Sequence, residues 1–261
     1  MMSKNLLAAM ALMMGSGTAM ATCADVDAAA GPQVAAVIAM IQSHTSGGFG
    51  LPMWWGVVDE TGKVCGIRNS SPTPTSNNSW LGSRIIAVQK AYAANAFSLN
   101  GFSISTANLY GLTIPGGSLF SLTSSNLLDA STAYLGAPET YGTVTDPLIG
   151  KRLGGLITFG GGLALYNAAG VKVGALGVSG DTSCTDHAVA WQIRALWGLD
   201  HVPGGFVTSY HPAPEFPVKG DEIVIKLSSD PLNLQNTYKH PTCGTALNPP
   251  QGATTGVILE P

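Results

Sequence analysis

The sequence predicts a single α+β domain in which helices cover one antiparallel sheet built from two hairpins. Two strand pairs of matching grammar predict the sheet: each turns through four residues ending in glycine, Asp59-Glu60-Thr61-Gly62 and Asn167-Ala168-Ala169-Gly170. Three stretches with apolar residues at helical spacing predict the cover. The composition suits such a fold, because 45% of residues are hydrophobic and only 10% are charged. A large core is therefore available, and the surface must be made from Ser, Thr, Asn and backbone.

Residues 1–21 read as a secretory signal peptide: Lys4, an apolar run over residues 6–14, then small residues ending Ala19-Met20-Ala21. That run is far shorter than the roughly 20 residues a membrane span needs, and no later segment of comparable length lacks polar residues. The expected mature protein is exported, periplasmic or secreted, with no membrane span, as one domain over residues 22–261. Cys23 near the cut raises a lipid anchor, but Thr22 stands where a lipobox wants Gly or Ala.

From Pro32 the residues Val34, Val37, Ile38 and Ile41 predict a first helix to about Ser43, stopped by Gly47-Gly48. Residues 53–58 and 63–67 form the first hairpin, and Ser70 to Asn78 is a loop. A second helix spans 79–97 on the stripe Leu81, Ile85, Val88 and Tyr92. Residues 98–156 carry five charged side chains among Gly, Ser, Thr, Asn and Pro, and read as a long excursion with short helices inside it. Residues 163–166 and 171–178 form the second hairpin. Ser183 can cap a third helix with the stripe Val189, Ile193 and Leu196, ended by Gly198. Residues 203–261 are Pro-rich, with one expected strand over 222–227, and read as a C-terminal wrap.

Removal of Lys4 with the leader leaves 11 of the 12 basic residues against 15 acidic ones, a balance that does not recruit nucleic acid. So weakly charged a surface suits self-association. All four cysteines, Cys23, Cys65, Cys184 and Cys243, lie beyond the leader and read as a disulfide framework. Three pairings are possible; Cys23 with Cys65 and Cys184 with Cys243 is favoured, because the first ties down the mature N-terminus and the second pins the tail. Each bridge is worth roughly 3–5 kcal/mol in the loop-entropy model.

Motifs narrow the chemistry. No C-x-x-C or C-x-x-C-H occurs, which argues against a thioredoxin-like dithiol and against c-type haem attachment. Gly174, Gly177 and Gly180 recur every third residue, which is not a dinucleotide fingerprint and fits close backbone approach in a strand. Ser179 lacks the leading glycine of a nucleophile elbow. Gly160, Gly161 and Gly162 either present N–H groups to an anion such as a propionate or only bend the chain into its hairpin. No two of His44, His187, His201, His211 and His240 share the spacing that places two metal ligands on one helical face. His187, beside Asp186, is the most functional in context. Arg84 and Lys90 lie off the apolar stripe of their helix; they belong either to a solvated face or to a pair with a carboxylate of a ligand or neighbouring subunit.

These residues carry a resemblance. Val57-Val58-Asp59 with Gly62, Gln89-Lys90-Ala91-Tyr92 with Ala96-Phe97, Phe159-Gly160-Gly161-Gly162-Leu163 and the run from Val173 to Gly180 resemble the GlcG/HbpS family of haem-binding proteins, in order, over residues 32–198. The resemblance implies a profilin-like domain that assembles into homo-oligomers and binds haem for handling or sensing, without catalysis. The alternative it leaves is binding of a small molecule, a hydroxy acid or a corrinoid, or an accessory enzyme module on the same fold. Lys90, Arg84, Tyr92, Gly160, Gly161, Gly162 and His187 become the candidate cofactor contacts. The family's iron-contacting hydroxyl shortly after the Lys-Ala-Tyr motif is absent, since Ala93 stands there, so no metal ligand is carried over.

Overall fold

The computed structural model of the chain describes residues 20–44, 46–73, 78–205, 220–224 and 240–241. The expected leader lies outside the described residues except for its last two positions. The fold is α+β around one four-stranded open antiparallel sheet. Strands β1 (Trp54–Asp59) and β2 (Val64–Asn69) form the first hairpin, and β3 (Gly162–Tyr166) and β4 (Lys172–Ser179) the second. β1 pairs antiparallel with β4 and joins the hairpins in the order β2-β1-β4-β3. Loop backbone caps both edges: Val64 donates to the Lys151 carbonyl, and Tyr166 donates to that of Leu199.

Alternation along the strands sends side chains into two apolar layers. Trp55, Val57, Leu163, Leu165, Leu176 and Val178 pack under helices α1 (Cys23–Ala30), α2 (Val34–Ser43) and α7 (Ser183–Leu196). Trp54, Val58, Ile67 and Ala175 pack on the other face against α3 (Gly82–Phe97) and excursion residues Ala133, Tyr141, Leu148 and Leu153. That excursion holds the short helices α4 (Thr106–Thr113), α5 (Leu122–Ser125) and α6 (Ala130–Ala133), as its length required.

Glycine sets the distance between α3 and the sheet. Gly56, Gly177 and Gly162 stand side by side across β1, β4 and β3. A Cβ on Gly177 would strike the Ala87 carbonyl oxygen, and one on Gly162 would come within 2.5 Å of the Lys90 carbonyl oxygen. The helix backbone therefore lies directly on a glycine floor, the close approach that the recurring glycines suggested.

Three readings change. The first helix is preceded by α1, which the sequence reading passed over because its Ala-rich run has no apolar stripe; a 3₁₀ turn over Gly31–Gln33 joins it to α2. The continuous run Cys23–Ser43 is long and apolar enough to cross a membrane by length and composition. In the domain it is held by a Cys23–Cys65 disulfide and by Val26, Ala30, Val37 and Ile41, which are buried in the core. The cap of α7 is Thr182, which accepts from the Thr185 N–H, rather than Ser183. Residues 222–224 form no strand, and residues 225–227 of that expected element lie outside the described part. Cys184 is also disulfide-bonded; its expected partner Cys243 lies outside the described residues.

Candidate functional site

Five of the seven candidate residues come together beneath α7. Lys90, from the middle of α3, is fully buried and donates to Asp186 Oδ2 at 2.7 Å and to the Val178 carbonyl at 2.9 Å. Its ammonium also lies 4.6 Å from the Phe159 ring centroid. Gly161 crosses this pair so closely that a Cβ there would sit 3.0 Å from both Lys90 Nζ and Asp186 Cβ. Gly160 lies against His187, and Gly162 donates its N–H to Thr106 Oγ1 at 2.8 Å. The Gly160 N–H is taken by His240 Nε2 at 3.2 Å, so two of the three amides of the glycine run serve side chains of the same chain.

Burial governs the protonation of this centre. It lowers Lys90 and raises Asp186 to about 6, with each partner pulling the other back toward its charged form. It pushes His187 down to about 3 and His240 to about 4. Both ring nitrogens of His187 are buried without a hydrogen-bond partner. The centre is closely packed: a Cβ at any of the three glycines would collide with surrounding backbone, which leaves no room for a porphyrin or its propionates.

Arg84 and Tyr92 go elsewhere. Arg84 is buried and forms a bidentate pair with Asp146, Nε to Oδ2 at 2.9 Å and Nη2 to Oδ1 at 2.5 Å, with Nη1 on the Ala133 carbonyl. Tyr141 covers the guanidinium, 3.7 Å from its ring centroid. Neither cation therefore lies on a solvated face, and the carboxylates they meet belong to this chain. Tyr92 is half-buried over Gly62, closing the first hairpin turn.

An open cleft of about 230 Å³ lies where α2 ends, next to the loop that Asp181 joins to the buried centre through its own N–H, donated to Asp186 Oδ1 at 3.0 Å. Ile41, Leu51, Pro52 and Pro72 supply its apolar walls, and Gln42, Ser70, Ser71 and Asn78 its polar ones. His44, the residue that ends α2, stands in it half-buried. Asp181 holds the neighbouring loop by accepting the N–H groups of Phe49 and Leu51. That loop presents Phe49, 63% exposed, edge-on to Trp80, 51% exposed, at 6.3 Å between ring centroids. Burial lowers the His44 pKa while the Asp181 charge raises it, and the net shift is downward, so the ring is neutral at pH 7. Its Nδ1 accepts the Ser46 N–H at 3.2 Å.

Histidine spacing alone does not single out His44, Phe49 and Trp80, because His44 has no partner histidine on its helix. A helix end followed by an imidazole, two glycines and an aromatic was the available signal. One further donor cluster, Cys23, Asp59 and Cys65, is closed to a metal. Its sulfurs are bonded to each other, and Asp59 Oδ1 accepts from Thr61 and Lys63.

The sequence matches the family model described as haem degrading protein HbpS-like over residues 27–194. No curated protein matches it. Among solved structures, the Klebsiella pneumoniae protein ORFY, of the family model DUF336, is 22% identical with a TM-score of 0.44, over 71% of this chain and 97% of that one. The structure of a PduOC:haem complex is also 22% identical, with a TM-score of 0.42, over 63% of this chain and 89% of that one. The family match takes in both hairpins, α3 and nearly all of α7, and on that match the chain belongs to the HbpS-like family.

Proposed function

We propose that this protein binds haem at the His44 cleft, as an exported haem-handling or haem-sensing protein that does not itself catalyse a reaction. The observation that carries the site is the neutral, half-buried imidazole of His44 in an open cleft with apolar and polar walls, beside two exposed aromatic rings. The donor set fits the group: a neutral imidazole is an iron ligand, and Phe49 and Trp80, set at 68° to each other, each offer an exposed apolar ring to a porphyrin. The cleft is smaller than the roughly 300–1,000 Å³ of enclosed ligand sites, so it takes one edge of the ring system. For His44 to ligate through Nε2, its ring proton must move to Nδ1 and the Ser46 contact is lost, at a cost of about 1 kcal/mol. Haem bound there supplies a redox-active iron. Gln42, Asn78 and the hydroxyls of Ser70 and Ser71 are polar groups that line the cleft and would face such a ligand.

Export rests on the leader pattern of residues 1–21, and self-association on the sparse surface charge and on exposed apolar side chains such as Phe120, Leu127, Tyr134 and Val144. Titration of the purified chain with hemin tests the reading. A saturable Soret shift is expected, and His44→Ala should weaken it at least about tenfold, equivalent to 1.4 kcal/mol, while the circular dichroism is unchanged. Equal affinity in wild type and His44→Ala would refute the site. Decay of the Soret band under a reductant and oxygen would refute the non-catalytic reading while leaving binding in place.

A further inference from the structure

The buried centre beneath α7 is closed by a residue from far along the chain. His240 is 1% exposed and packs on Tyr110 of α4, with ring centroids 5.3 Å apart. Its backbone N–H donates to the Val224 carbonyl at 2.7 Å. Its Nε2 accepts the Gly160 N–H, which places the ring proton on Nδ1, and that nitrogen faces the Pro241 carbonyl at 2.8 Å. The contact works only while Nε2 carries no proton.

We propose that His240 is an acid-sensitive latch that holds residues 240–241 over the Gly160 amide and lets them go when its imidazole is protonated. Protonation turns Nε2 from an acceptor into a donor facing a backbone donor, so the Gly160 bond is replaced by a repulsive N–H to N–H contact. The charged surroundings offer the new cation no compensation. Lys90 of α3 repels it, and the carboxylate nearest to Lys90, Asp186 of α7, is already paired with that ammonium. Tyr110 of α4 presents a neutral ring. The neighbouring His187 is neutral, and the Arg194 and Asp221 that influence it are paired with each other. Burial holds docked His240 at about 4, against 6.5 for a free imidazole.

Docking is thus fully present above about pH 6.5 and is lost as pH falls from there toward 4. Between pH 7 and pH 5 the docking equilibrium should weaken roughly twentyfold.

Amide hydrogen exchange of the full chain reads this directly. Corrected for intrinsic rates, the Gly160 and His240 amides should lose protection about twentyfold from pH 7 to pH 5, while the Leu176 amide in the sheet keeps its protection. His240→Gln offers an acceptor oxygen that does not titrate, and its Gly160 amide should stay protected at pH 5. His240→Lys should leave that amide unprotected even at pH 7. Unchanged protection in wild type at pH 5 would overturn the proposal, as would a His240→Gln variant that loses protection in step with wild type.

Discussion

Arg84 commits its guanidinium to Asp146 through two hydrogen bonds, and Asp146 also accepts the N–H groups of Gly142 and Leu148. A buried pair of this kind adds little net stability yet is costly to break, because removal of one partner strands the other charge away from water. Asp146→Ala should therefore lower the unfolding free energy by about 3–5 kcal/mol, read as a shifted midpoint in denaturant, whereas Arg84→Met with Asp146→Leu should recover much of that loss. A single-mutant loss below about 1 kcal/mol would show that the pair is dispensable. That Arg84 and Lys90 were unusual was readable from their place off an apolar stripe in a charge-poor chain. Their partners were not readable, since Asp146 lies 62 residues from Arg84 in the loop-rich excursion, and Asp186 lies 96 residues from Lys90 on a helix whose placement against α3 no local pattern sets.

Helix α3 depends on a floor without side chains. The expected stripe of Leu81, Ile85, Val88 and Tyr92 is only half right: Ile85 and Val88 are buried, but Leu81 is exposed and Tyr92 is half-buried. Ala87, Ala91 and Ala94 share the buried face instead. Hydropathy ranks large side chains first, yet a helix resting on Gly56, Gly177 and Gly162 makes its closest contacts through backbone and alanine. Gly177→Ala would force the Ala87 turn off the sheet and should destabilise the fold by about 1–3 kcal/mol or more, measured by thermal or denaturant unfolding. Gly66, with nothing near its absent Cβ, is the control position, and equal effects at the two sites would contradict the floor. Both hairpins were legible because their turns and apolar runs are local signals. Helix α1 was not, because its burial rests on only Val26 and Ala30 and on a disulfide to β2.

Across the whole molecule, acid acts through buried groups rather than through surface charge. His187 and His240 are held near 3 and 4 in the folded state, against 6.5 when unfolded, so the stability they contribute is present above about pH 6.5 and drains away as pH falls below it. Asp186 works in the opposite sense. Its folded pKa of about 6 lies above the ordinary 3.8, so its burial cost is present at neutral pH and is relieved as pH falls through 6. The two histidine shifts together exceed the carboxyl shift, so Tm should fall between pH 7 and pH 4.5, and His187→Phe should shrink that fall; a flat calorimetric profile would contradict the balance. The sequence by itself determined the two hairpins, the helices α2, α3 and α7 closely, the short-helix excursion and the family, because each is written in local periodicity, turn chemistry or motif order. Tertiary structure decided which candidates share a site. It gathered Lys90, His187 and the three glycines into a closed centre, sent Arg84 to Asp146, and left His44 beside an open cleft. Those outcomes depend on contacts between residues tens of positions apart, and on how deeply α3 settles into the sheet, which no local pattern encodes.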